Sequence, residues 1–269
     1  MDTITGLFTG FSLAYGTLEA FAGTMIFVLI IAFIMEYIDS SLGMGYGTVL
    51  SPVLIIMGFS PLLVVPSVLL SQAAGGFTAS VFHHRLRNVL FQRRSRDSMT
   101  VYIVTATGII ATLFAAAIAI SIPGQYLNTY IGLLIFVMGI ILLSRATFRF
   151  RLRKMLAVGA ISAFNKGMSG GGFGPVVTGG QMIGGQNHKN AIGVTTAAEA
   201  PICIAGFLVY LTLNGISDWL LVLFLTVGAV LAAPLGALTT SRLNSQRFRK
   251  VLGAIIIVLG AWTLWKTWM

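Results

Sequence analysis

Asp39-Ser40-Ser41-Leu42-Gly43-Met44-Gly45-Tyr46-Gly47 interrupts one hydrophobic stretch, and Lys166-Gly167-Met168-Ser169-Gly170-Gly171-Gly172-Phe173-Gly174 interrupts another 127 residues later. Glycine at such density makes poor helix and permits positive φ. Each run therefore reads as a break between two short apolar segments. Paired breaks at matching places in two halves of a membrane chain point to a transporter's binding site.

Composition sets the frame. The chain has 269 residues, 57% hydrophobic and 9% charged, with a mean hydropathy of +0.92. Soluble domains carry about 25% charged residues, so an all-α integral membrane protein is expected, as one transmembrane domain over 1–269. The first 20 residues lack the basic start of a cleavable signal peptide. Ten apolar segments are predicted, at about 20–38, 46–58, 62–82, 99–121, 126–144, 155–168, 173–185, 190–212, 218–236 and 248–266. The short segments flank the glycine runs as half-helices. The other six read as full spans.

The net charge of +10 is not a nucleic-acid signature, because 14 of 17 basic residues fall in three clusters between spans. These are Arg85, Arg87, Arg93, Arg94 and Arg96; Arg145, Arg149, Arg151, Arg153 and Lys154; and Arg242, Arg247, Arg249 and Lys250. The positive-inside rule places all three in the cytoplasm of a cell-membrane protein. Both termini then lie outside. The first half (about 18–145) begins outside and the second (about 153–269) inside, which makes two inverted-topology repeats of about five segments. Residues 43–58 match 170–185 at six of 16 places: Gly43, Gly45, Gly47, Val49, Ile56 and Gly58 against Gly170, Gly172, Gly174, Val176, Ile183 and Gly185. Gly132 and Gly139 echo Gly253 and Gly260. These four, with Gly108 and Gly228, read as packing glycines.

Glycine breaks carry chemistry because non-helical backbone at membrane depth must be buried or line a wet cavity. The helix restarting after each break offers N–H groups and a partial positive charge to an anion. Glycine allows the ligand to approach, so Gly43, Gly45, Gly47, Gly170, Gly171, Gly172 and Gly174 are the first candidate ligands, and Ser51 and Thr178 add hydroxyls. Asn165, Ser169, Thr195 and Thr196 supply further hydrogen-bonding capacity. Of seven acids, Glu36, Asp39 and Glu199 fall in apolar sequence with Lys166; intramembrane charge marks function by default. Glu199 is the expected proton carrier, with Asp39 a second candidate. Gln72 stands at the position equivalent to Glu199, and Asp39 at that equivalent to Lys166. Lys166 reads either as an anion ligand or as an ion-pair partner of Asp39 across the pseudo-twofold axis.

Other chemistry is expected to be absent. His83, His84 and His188 lack metal-ligand spacing, and no P-loop or Ser/His/Asp order is present. No cofactor or metal is expected. The three histidines belong at the cytoplasmic interface, and Trp262, Trp265, Trp268 and Lys266 at the outer interface.

The pattern Asp39-x-x-x-Gly43-x-Gly45-x-Gly47, then Pro52, resembles the first signature of the sulfite exporter TauE/SafE family, also called toluenesulfonate uptake permeases. Gly170 to Gly174, followed by Ala191-Ile192-Gly193-Val194-Thr195-Thr196, resembles the second. The resemblance spans nearly the whole chain. It implies transport of sulfite, sulfonates or other small organic anions. A secondary transporter working by alternating access is the leading expectation, with a small anion and the lipid bilayer as partners. A passive anion channel, or a membrane enzyme or assembly subunit, are the alternatives. Sequence leaves the anion, direction, coupling ion and oligomeric state open.

Overall fold

In a computed structural model the described residues are 18–93, 95–143, 152–183, 186–240 and 245–269. They form ten α-helices: α1 Leu18–Leu42, α2 Tyr46–Ile56, α3 Pro61–Arg85, α4 Arg96–Ser121, α5 Gly124–Leu143, α6 Leu152–Ser169, α7 Phe173–Ile183, α8 His188–Leu213, α9 Trp219–Thr239 and α10 Ser245–Trp268. No strand occurs among the described residues. Seven helices are long and apolar enough to cross a membrane: α1, α3, α4, α5, α8, α9 and Lys250–Trp268 of α10. The outer faces of the bundle carry large apolar side chains, among them Phe77, Tyr102, Phe114 and Ile161. Glu36, Asp39, Lys166 and Glu199 are buried inside. A polar interior beneath an apolar exterior is the arrangement of a multi-pass membrane protein.

Each expected segment is a helix. The first is longer than the 20–38 expected: α1 has 25 residues and continues through Glu36, Asp39, Ser40 and Ser41. These polar residues do not stop the helix because they face inward and are buried. By length α1 is a full crossing, not a half-helix. It ends only where Gly43 turns to φ +73°. Elsewhere, ordinary caps set the boundaries. Ser95 Oγ accepts from Ser98 N at 3.1 Å at the start of α4, and Asp218 Oδ1 accepts from Leu221 N at 3.0 Å at the start of α9. Arg94, Arg145, Arg149, Arg151, Gly185 and Arg242 lie outside the described residues, as do the side chains of Arg153, Lys154, Arg247 and Arg249.

The packing is reciprocal between the halves. A Cβ on Gly228 of α9 would lie 2.6 Å from the Leu29 carbonyl of α1, and one on Gly236 2.5 Å from the Ser40 Cβ. The counterparts are Gly159 and Gly167 of α6, which face Thr107 and Ala115 of α4. Helices at matching places in the two halves of the sequence pack antiparallel. In the α3–α8 pair, Leu69 meets Gly206, Gly76 meets Ala200, and His83 meets Gly193. In the α5–α10 pair, a Cβ on Gly139 would come within 2.9 Å of the Gly253 carbonyl, and one on Gly260 within 2.9 Å of the Gly132 carbonyl. These glycines, like Gly108 against Ile202, pack helices together as expected. Gly260→Ala is therefore expected to push α10 off α5 and cost about 1–3 kcal/mol. Gly23→Ala, with nothing within 4 Å of the added carbon, should leave thermal unfolding in detergent unchanged or slightly higher.

Candidate functional site

The two breaks meet at the centre of the bundle. Gly43 and Gly45 have φ +73° and +134°; Gly170 and Gly172 have φ +74° and +82°. A Cβ on Gly47 would fall onto the Gly170 carbonyl, and one on Gly174 onto the Gly43 carbonyl. The offset of 127 exchanges these two contacts. A Cβ on Gly171 would lie 2.9 Å from Gly47 and Thr48 backbone atoms. Gly47, Gly171 and Gly174 are thus required for close approach. Gly45 and Gly172 are required for conformation, since an added Cβ would meet side chains only at 3.4 Å or more.

Hydroxyls bridge the breaks. Thr178 Oγ1 donates to the Gly43 carbonyl at 2.9 Å and lies 3.0 Å from Thr195 Oγ1. Gly172 N donates to Thr48 Oγ1 at 3.2 Å, and Gly171 N to Ser169 Oγ at 3.1 Å. Ser51, at the position equivalent to Thr178, sits beside Gly170, where an added Cβ would be 2.8 Å from its Oγ. That buried Oγ has no hydrogen-bond partner. Thr196 is buried at the α3–α8 crossing beside Gly76. Asn165 Oδ1 accepts from the Tyr130 hydroxyl at 2.6 Å.

Beside the breaks the polar groups form a chain. Asp39 Oδ1 accepts from Tyr46 N at 3.3 Å, at the first turn of α2. Asp39 Oδ2 accepts from Gln72 Nε2 at 3.2 Å. Gln72 Oε1 accepts from Lys166 Nζ, and Lys166 Nζ lies 2.9 Å from Glu199 Oε1. The offset relates Asp39 to Lys166 and Gln72 to Glu199, so the Asp39–Gln72 contact corresponds to the Lys166–Glu199 contact. Asp39, Lys166 and Glu199 are only 5, 1 and 4% exposed. In this setting the pairing decides which groups can be charged.

Two expectations change here. Lys166 pairs directly with Glu199 and reaches Asp39 only through Gln72, so the direct Lys166–Asp39 pair is not formed. The solute anion expected at the start of α2 has a competitor, because the Asp39 carboxylate already occupies that helix end. The equivalent position before α7 carries Lys166 instead. The two helix starts therefore differ, with a carboxylate at α2 and an ammonium, paired with Glu199, before α7.

Further residues escaped the sequence reading. Gln181 Nε2 donates to Thr195 Oγ1 at 2.8 Å, while its buried Oε1 has no partner. The Tyr46 hydroxyl donates to Ser71 Oγ at 2.7 Å. His83, expected at the interface, is completely buried, with Nε2 2.9 Å from the Ser40 carbonyl. The Tyr210 hydroxyl donates to the Gly167 carbonyl, also at 2.9 Å. Positions 83 and 210 are related by the same offset, as are 40 and 167, so extending that offset along α3 would have found this pair. Each fastens the end of a broken helix to the third helix of its half. Because α3 and α8 run antiparallel, the two fastenings lie at opposite ends, about 25 Å apart at 1.5 Å per residue. At the end of α10, Trp262, Trp265 and Trp268 are exposed, and Lys266 Nζ donates to the Ile56 carbonyl at 2.5 Å, at the end of α2. Among the described residues no group of three metal-ligating side chains occurs.

Comparison with known proteins agrees with this architecture. A family model described as Sulfite exporter TauE/SafE matches residues 28–263. The chain is also similar to a protein named probable membrane transporter protein YtnM from Bacillus subtilis (strain 168). The two are 28% identical over 254 residues, covering 89% of this chain and 82% of that one. No solved structure matches the chain.

Proposed function

The chain belongs to the sulfite exporter TauE/SafE family, and from that premise we propose that it is a secondary transporter of a small anion, sulfite or a sulfonate, with Lys166 as the principal anion ligand. The observation that carries this reading is the buried chain of polar contacts around Lys166 where the two glycine breaks meet. Lys166 is the one buried lysine or arginine among the described residues. A compact ammonium suits a small oxyanion, and the start of α7 adds the positive end of its helix. In the closed arrangement Glu199 occupies Lys166. A substrate anion takes the place of that carboxylate, and Glu199 is released from the pair when it takes up a proton. Gly170, Gly171, Ser169, Thr178 and Thr195 supply the surrounding polar groups.

The reciprocal halves (about 18–145 and 153–269) are read as inverted-topology repeats in a cell membrane, with basic loops cytoplasmic and termini outside. Alternating access follows from releasing one fastening at a time. Loosening the Tyr210 end is expected to expose Cys203, which lies on α8 between Glu199 and Tyr210 and is buried at rest. Tyr210→Phe should raise labelling of Cys203 by a membrane-impermeant maleimide several-fold, and His83→Phe should not. Equal labelling in both variants would contradict this assignment of ends.

The direct test is thermal stabilisation of the purified protein by a panel of sulfite, sulfonates and carboxylates. A ligand that binds only the folded state raises apparent stability with its concentration. Sulfite or a sulfonate should raise the melting temperature in wild type. No response to any anion would refute the reading.

A further inference from the structure

Glu36 stands beside the chain of polar contacts around Lys166 without joining it. Its Oε1 accepts from Ser40 Oγ at 2.6 Å. Its Oε2 is buried with no hydrogen-bond partner, in a residue only 1% exposed. The carboxyl fills the notch left by Gly75 on α3, where an added Cβ would lie 2.9 Å from its Cδ and 3.0 Å from the Ala229 Cβ of α9. The charged groups acting on it are Asp39 on its own helix, Glu199 on α8 and Lys166 on α6. The Tyr46 phenol of α2 and the Cys203 thiol of α8 are also within reach. On the α9 side, Trp219–Thr239 contains no titratable residue.

Three carboxyl groups thus share one ammonium. Glu199 has Lys166 itself; Asp39 has the Tyr46 amide and Gln72. Glu36 has one serine hydroxyl. An ionised carboxylate buried with so little compensation is too costly to persist, and the notch offers too few oxygens for a hard metal cation. We infer that Glu36 is a proton-binding site: its Oε2 carries a proton in the closed conformation, and exchanges it with water admitted when the α1–α2 hairpin moves. The coupling of that exchange to anion movement rests on the transport reading above. The resting protonation does not.

Infrared spectroscopy of the purified full-length protein at neutral pH, in H2O and then D2O, reads the carbonyl stretch of a protonated carboxyl. A deuterium-sensitive band is expected in wild type, in Asp39→Asn and in Glu199→Gln, and is expected to vanish in Glu36→Gln. If Glu36→Gln does not fold, Glu36→Asp should shift the band. A band unchanged by both Glu36 substitutions, or absent from wild type, overturns the assignment. In proteoliposomes, Glu36→Gln should keep sulfite counterflow while losing at least tenfold of the stimulation of net uptake by a pH gradient. Wild-type stimulation in that variant overturns the coupling role. Absence of counterflow in wild type would instead refute the transport reading, leaving the infrared result to stand or fall alone.

Discussion

Gly47→Ala is expected to yield no folded protein, and Gly174→Ala the same. At each position the added carbon collides with the carbonyl of a glycine in the opposite break, Gly170 or Gly43. Overpacking against side chains costs about 1–3 kcal/mol, because they shift into neighbouring space. Here both colliding groups are backbone, and both breaks are buried on every side. Relief requires the two hairpins to separate, which breaks the Thr178–Gly43 and Gly172–Thr48 hydrogen bonds together. Gly179→Ala, one turn further along α7, has nothing within 4 Å of the new carbon. It should fold as wild type or gain up to about 1 kcal/mol from helix propensity. Yield and monodispersity in detergent separate the outcomes. Wild-type behaviour of Gly47→Ala would mean that the breaks do not touch.

Lys166→Met is expected to be the most destabilising substitution outside the glycines. Removing one partner of a buried ion pair leaves the other uncompensated and costs about 3–5 kcal/mol. Lys166 compensates Glu199 directly and Asp39 through Gln72, so the upper part of that range applies. Glu199→Gln added to Lys166→Met should recover much of the loss, because the double variant removes one charge of each sign. Thermal unfolding of the two single variants and the double variant gives the coupling between the sites. If the double loss equals the sum of the single losses, the pair is not the unit described here.

The helices were legible because apolar runs of membrane length have few other readings. The breaks were legible because glycine at that density is incompatible with helix. The offset of 127 relates Asp39 to Lys166 and Gln72 to Glu199 in sequence, and all four side chains lie in one buried chain of contacts. Equivalence is not contact, however. Only the antiparallel crossing of α3 and α8 brings Glu199 to Lys166 and inserts Gln72 between Lys166 and Asp39. The length of α1 was hidden for a related reason. Glu36 and Asp39 lower the local hydropathy, yet both face inward, where polarity does not end a helix. Gln181 and Tyr210 were overlooked as single polar groups in apolar runs, and the neighbouring basic cluster drew His83 to the surface.

Counterflow of labelled sulfite in proteoliposomes, comparing wild type with the Lys166→Met/Glu199→Gln double variant, tests the site most directly. The double variant removes one charge of each sign and leaves the net buried charge unchanged, so it should remain folded while losing exchange altogether, with wild type accumulating label transiently. Exchange at the wild-type rate by the folded double variant would show that the anion crosses without Lys166.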